Sequence, residues 1–373
     1  MNIFGPQKSG IVVSLITTYF FFAICSISTW TQTRESKSSG QIYSSTGAAD
    51  TLNRSGIVVQ QLKLIDDKNY ELTSKVLTPS LNGGDQIDRE VTEKSRQLNA
   101  GQSRVERLVR VPDANGRLYT QTITNEDHTS KDKKEEIQRS HFQADINGKM
   151  VIQSVENETH AQITPQEKEI TRALYRPGMD GKLVLSELEE GTERKLTDRL
   201  TVKENSRKTK DSNGQMILVG TTKEMTTRIN DKIFKKETIL QQAGENGRLV
   251  LTDKIMESQT ENPDGTRKYQ RILESRNITP QQRSLNSGAL ILAQRVTGEE
   301  RRLPDGSIES QTQVETLDPV NLANGLRVTE ITSEVSKPLG NGKVNVERVV
   351  KIRDVNGNFT VAQKVSQTIQ AAK

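Results

Sequence analysis

Apolar and polar residues alternate along most of this chain. Val344, Val346, Val350 and Ile352 fall on one face of an extended leg, and Phe359, Val361, Val365 and Ile369 do the same in the next. The period is two rather than 3.6, so the legs are expected to be β-strands. One short run breaks the alternation and recurs. It lies two, three and four residues after a set of regularly spaced glycines, as in Met150-Val151-Ile152, Leu183-Val184-Leu185, Met216-Ile217-Leu218 and Leu249-Val250-Leu251. Three consecutive apolar positions occupy both faces of a strand. Each such side chain contributes roughly 1.5–3 kcal/mol if buried, so this edge is expected to be covered on both sides.

The glycines are Gly83, Gly116, Gly148, Gly181, Gly214, Gly247, Gly288, Gly325 and Gly357, and the first five intervals are 33, 32, 33, 33 and 33 residues. This is an internal repeat. The turn is clearest in Asp113-Ala114-Asn115-Gly116, Asp145-Ile146-Asn147-Gly148, Asp211-Ser212-Asn213-Gly214 and Asp354-Val355-Asn356-Gly357. Asp first, Asn third and Gly last are type I preferences. The carboxylate accepts from amides two residues on, and Gly takes the left-handed conformation that costs other residues about 1–2 kcal/mol. Such a turn makes a bulged hairpin. A second reversal follows at Gly101, Gly265, Gly306 and Gly342, and at polar turn formers such as Asp132-Lys133-Lys134 in the middle repeats.

Two reversals per repeat predict an all-β fold: an elongated antiparallel β-meander of about 18 strands over residues 57–370, with one dry and one wet edge. An outer-membrane barrel of 18 strands is the architectural rival. Against it stand the missing aromatic girdles and charges on both faces, as at Glu347 beside Arg348. A parallel solenoid with one coil per repeat is the other rival.

Hydrophobic content of 32% and mean hydropathy of -0.67 suit a thin sheet rather than a thick core. The 53 Lys plus Arg and 48 Asp plus Glu are interleaved, which points to cross-strand ion pairs rather than a polyanion site. Residues Ile11 to Ile27 are almost wholly apolar after a single Lys8, the pattern of an export signal. Residues 1–28 are read as a signal peptide cleaved after Ser28, or as an anchor crossing a membrane over residues 11–30. The only cysteine, Cys25, lies in that run, so the exported part has no disulfide. Residues 29–56 read as a Ser/Thr/Gly-rich linker.

The spacing loosens to 41 residues before Gly288 and 37 before Gly325, with prolines at Pro280 and Pro319. The insertions, 277–283 and 317–323, are the least repetitive surface and the best candidates for a binding loop. Among chemistry-bearing residues, His128 and His160 share one offset from their glycines and should lie two strands apart, close to 10 Å, too far for a shared metal. His141 approaches His128 at best as a two-histidine pair. Glu187, Glu189 and Glu190 are the densest carboxylates and read as a wet face. Gly340-Asn341-Gly342-Lys343 lacks the other residues of a phosphate loop. Asn157-Glu158-Thr159 and Asn277-Ile278-Thr279 fit the glycosylation acceptor pattern. With 4% aromatics and no basic stripe, nucleic-acid binding is not expected. No catalytic residue, cofactor or metal is expected.

The Asp-x-Asn-Gly turn followed by a basic residue and Leu, as in Asp113 to Leu118, resembles the tandem hairpin repeats of uncharacterised exported bacterial proteins. The resemblance covers nearly the whole exported part and implies a β-repeat architecture, with no activity attached. The expectation is an extracytoplasmic, non-enzymatic structural or surface-interaction protein. Its expected partners are copies of itself, through the apolar edge, or an envelope or carbohydrate ligand held by the polar sheet face or the two insertions.

Overall fold

The computed structural model describes residues 35–45, 52–66, 68–80, 83–230, 232–244, 246–276, 289–318, 325–340, 343–354 and 356–370. Their strands are β1 (Glu35–Ser45), β2 (Leu52–Leu64), β3 (Tyr70–Pro79), β4 (Asp85–Asn99), β5 (Gln102–Pro112), β6 (Leu118–Lys131) and β7 (Lys134–Ala144). They continue as β8 (Met150–Thr164), β9 (Glu167–Pro177), β10 (Leu183–Thr197), β11 (Leu200–Lys210), β12 (Met216–Asn230), β13 (Ile233–Ala243) and β14 (Leu249–Glu261). The last six are β15 (Arg267–Ser275), β16 (Ile291–Arg302), β17 (Ile308–Leu317), β18 (Leu326–Gly340), β19 (Lys343–Arg353) and β20 (Phe359–Gln370).

Each strand pairs antiparallel with the next, and β1 also pairs antiparallel with β20 from Ser38↔Ile369 to Ser44↔Gln363. That last pairing closes the sheet into a 20-stranded barrel. The open meander of about 18 strands is therefore corrected to a closed barrel of 20, in which β1 and the start of β2, Leu52 to Gly56, are formed by residues whose Ser/Gly composition reads as linker. Backbone groups at a sheet edge need partners whatever the side chains are, and this segment supplies them to β20. The parallel solenoid is excluded by the antiparallel registers.

The turns form as their residues dictate. In Asp113–Gly116 the Gly116 amide donates to the Asp113 carbonyl (3.0 Å), and the Asp113 carboxylate accepts from the amides of Asn115 (2.8 Å) and Arg117 (2.9 Å). Gly116 sits at φ 76°, and Gly83, Gly148, Gly181, Gly214, Gly247, Gly325 and Gly357 are also left-handed. Gly288 lies outside the described residues. Where a middle repeat lacks the second glycine, Asp132 adopts φ 53° itself, a conformation short Asx side chains tolerate.

The periodicity hides a row of bulges. Five residues after the turn glycine, at Asp88, Gln121, Gln153, Ser186, Val219, Thr252, Ala293 and Ala362, one residue drops out of register; in the repeat of Gly325 it is Thr329. A bulge bends the strand and sharpens its twist, and a row repeated on every even strand from β4 curls the sheet toward closure. It also swaps faces. Phe359 and Val361 pair with Arg353 and Lys351 on one face, whereas Val365 pairs with Arg348 on the other, which corrects the single-face assignment of that leg.

One face is the concave interior. Along β2, Val58 and Gln60 are buried while Val59 between them is 37% exposed, and the register carries the Val58 face to Ile42, Leu72, Ile137, Ile170 and Val365, all buried. Curvature crowds side chains on the inside. Only eight hydrophobic residues among those described are buried, so none of the described residues forms a second layer on either face. A closed wall of 20 strands is wide enough to leave an open lumen, since barrels of 16–18 strands already do.

Candidate functional site: the charged inner wall

Above the bulge row, the inner face of β6 to β11 carries opposed charges in register. Glu126 stands opposite Arg139 and Arg139 opposite Glu156; one row on, Glu158 stands opposite Arg172 and Arg172 opposite Glu189. The Arg139 guanidinium donates to Glu126, to Glu156 at 2.6 Å and to Glu158 at 2.7 Å. Arg172 donates to Glu156 at 2.6 Å and lies 3.8 Å from Glu189, which accepts from Asn205 at 2.8 Å. The chain of contacts thus spans six strands. A neighbouring section on β3 to β5 links Tyr70 to Glu93 (2.7 Å) and Glu93 to Arg107 (2.5 Å). Lys236–Glu224, Arg271–Glu257 and Arg348–Glu334 continue the pattern around the lumen at 3.2, 3.6 and 2.6 Å.

Burial alone would raise the carboxyls of Glu126, Glu156 and Glu158. Hydrogen bonds outweigh it: from His128 and Arg139 to Glu126, from Arg172 and Arg139 to Glu156, and from Arg139 and His160 to Glu158, so all three lie below the usual carboxylate value. Arg139 is pushed up by the same three partners against the opposing effect of burial. These groups are held in their charged states. A proton-transfer catalyst needs the opposite, a group poised near neutrality.

All three histidines face the lumen. His128 pairs with Glu126 and His160 with Glu158, each at 2.5 Å, and the His141 ring lies 3.2 Å from the Thr124 hydroxyl. His128 and His160 are part-buried members of the ladder, and His141 is part-buried beside it, so none of the three is freely solvated. His128 stands opposite Ile137, not His141. Among the described residues no cluster of three His, Cys, Asp or Glu is placed to hold a metal ion. The three carboxylates Glu187, Glu189 and Glu190 are not brought together: register puts Glu187 and Glu189 inside and Glu190 outside, where it meets Lys208 at 2.6 Å. Gly340 is a left-handed turn residue (φ 80°), while Asn341 and Gly342 lie outside the described residues. Asn157 is on the outer wall, accepting from Gln138 at 3.1 Å. Cys25, Asn277, most of both insertions and the 1–28 segment lie outside the described residues. The strands flanking the insertions end at the rim of the Asp-x-Asn-Gly turns, called here the hem.

The signal for the ladder was in the sequence as Glu126-x-His128 and Glu156-x-Glu158-x-His160 at matching offsets. Assigning these residues to the interior required the bulges.

The outer wall is charged as well, with Arg104–Asp127, Lys223–Glu204 and Lys254–Glu237 at 2.6, 2.7 and 2.8 Å. Only a band next to the hem is apolar. Its outer row includes Leu183, Leu218 and Phe359, 40%, 40% and 38% exposed, and its inner row Tyr119 and Ile217, 44% and 46% exposed. The expected covering of this edge is therefore not supplied by curling. From Leu118 to Ile123 the band covers five residue steps, at most about 17 Å along the strand at 3.3–3.4 Å per residue, short of the ~25 Å band of a membrane barrel. No helix among the described residues is long and apolar enough to cross a membrane.

No family model and no curated protein matches the chain. Among solved structures it is similar to Pseudomonas aeruginosa OpdL (9% identity, TM-score 0.44, 90% of this chain and 97% of that one). It is also similar to Pseudomonas aeruginosa OccK5 (OpdH) (10%, 0.43, 90% and 96%) and to Salmonella typhi OmpF in complex with daunomycin (9%, 0.40, 90% and 96%). Likeness at these values is too remote to carry function, and closure rests on the β1–β20 pairing.

Proposed function

We propose that this chain is an exported, non-enzymatic protein of the cell envelope: a hydrophilic barrel whose water-filled lumen holds or passes polar solutes. The observation that carries the reading is the closed wall with a charged inner face, Glu126 through Arg139 and Arg172 to Glu189. A lining of alternating fixed charges favours hydrated solutes and excludes apolar ones. The charged outer wall stands in water rather than lipid, so the barrel does not span a bilayer by its own strands, and any membrane attachment runs through residues 11–30. A cysteine at Thr124, inside, should react with small charged thiol reagents and resist a bulky polymer-linked maleimide, while one at Asn125, outside, takes both. Equal labelling of the two positions by the bulky reagent would refute a protected lumen.

A second reading, an envelope or carbohydrate ligand, has one observation in its favour. An open groove of about 470 Å³ on the outer wall of β14 to β17 is lined by Ser258, Lys268, Gln270, Thr297, Glu299 and Gln311. Hydroxyls and planar amides suit sugar hydroxyls. Glycan or peptidoglycan capture that is lost with Gln270→Ala would favour this reading.

A further inference from the structure

The barrel is closed by its least strand-like segment. β1 reads Glu-Ser-Lys-Ser-Ser-Gly-Gln-Ile-Tyr-Ser-Ser, with five serines and one glycine among eleven residues, whereas its neighbours carry Ile57-Val58-Val59 and Val361 to Val365. Serine and glycine give little to a pleated surface. The β1–β20 register holds seven residue pairs, fewer than any other pairing in the wall, while β1 to β2 holds eleven. Among the described side chains of β1, Ile42 is the buried one. Ile42 packs with Val58 and Val365, with Val76 alongside, the hydrophobic cluster of buried residues in the described wall. β1 begins at the rim opposite the hem, beside the end of β20, so it can leave its slot without threading through the lumen.

We propose that β1 is a detachable closing strand, and that the slot between β2 and β20 is an interaction surface for the β1 of a second copy of this chain. The occupant follows from complementarity: the slot offers two unpaired backbone edges and an apolar hollow beside Val58 and Val365, and a second β1 fills both identically. The connection from Ser45 to Leu52 is short, so exchange is reached by swinging β1 outward as a unit. Reciprocal exchange gives a two-fold dimer in which both barrels are closed.

Two full-length variants in a Cys25→Ser background test this, one with Gln41→Cys and one with Ser366→Cys, positions paired across the seam on the outer face. Mixed and oxidised, they should yield a disulfide-linked heterodimer, while the double variant on one chain forms the internal disulfide. Hydrogen exchange of the unmodified protein should show β1 amides exchanging at least tenfold faster than those of β6 to β12, and Ile42→Ala should raise the β1 rate a further tenfold or more. The proposal is overturned if the double variant cross-links but the mixture gives no heterodimer. It is equally overturned if β1 amides are as protected as those of β6 to β12, whether or not any disulfide forms.

Discussion

Replacing Arg139 by Met keeps the length and the apolar stem of the side chain and removes the charge that three carboxylates share. Its guanidinium donates to Glu126, Glu156 and Glu158 with its side chain 25% exposed, and Glu156 is more deeply buried than the other two. Exposed pairs contribute about 0.2–1 kcal/mol each, and breaking a fully buried pair costs about 3–5 kcal/mol. A half-buried hub whose acids keep other partners, Arg172 for Glu156 and the histidines for Glu126 and Glu158, falls between, at about 2–3 kcal/mol. The sign with pH follows from the depressed carboxyls. Their folded values lie below the ordinary glutamate value of 4.5, so the ladder's contribution is complete above that pH and is lost as pH falls through the folded values. Urea denaturation of the two proteins, followed by circular dichroism at pH 7 and near pH 3.5, should show a gap at pH 7 that shrinks in acid. A gap of the same size at both pH values would mean that packing of the stem, not charge, holds this wall, and the reasoning would be refuted.

Other substitutions separate the local devices. Gly214→Val should cost about 1–2 kcal/mol through the left-handed backbone alone, since φ is 80° and a Cβ there meets nothing nearer than the Lys210 Cε at 3.9 Å; an unchanged unfolding midpoint would contradict the turn assignment. Asp211→Ala removes acceptors for the amides of Asn213 and Gln215 (2.9 and 2.8 Å) and should cost about 1–2 kcal/mol, read by faster amide exchange in that turn. At Gly191, on the inner wall, an added Cβ comes within 2.5 Å of the Glu204 carbonyl, so Gly191→Ala should lower the urea midpoint by the equivalent of about 1–3 kcal/mol despite its ordinary backbone. Equal midpoints for Gly191→Ala and the parent would show that β10 and β11 separate freely there.

Much of this architecture is local and therefore legible. Asp113, Asn115 and Gly116 make their turn from hydrogen bonds within five residues, and the alternation of Val344, Val346, Val350 and Ile352 places one face correctly because β19 has no bulge of its own. The leg from Phe359 to Ile369 does not keep to one face as its alternation suggests, since the extra residue Ala362 leaves no mark in the strand sequence around it. For the same reason the ion-pair ladder was visible as interleaved charge but not as an inner wall: Glu126 and Arg139 meet only once register and bulge are known.

The chain by itself determines what depends on neighbours in sequence: β-strands, hairpin turns with left-handed glycines, a repeat of about 33 residues, and the pairing of opposite charges. Tertiary structure alone decides closure, the strand count, and which face is wet inside. Closure sums small twists and bends over 20 strands, and it joins Ile42 to Val365 from opposite ends of the chain. No local pattern encodes a sum of that kind. The serine-rich segment that looks like a linker becomes a strand because two open edges are left for it to satisfy.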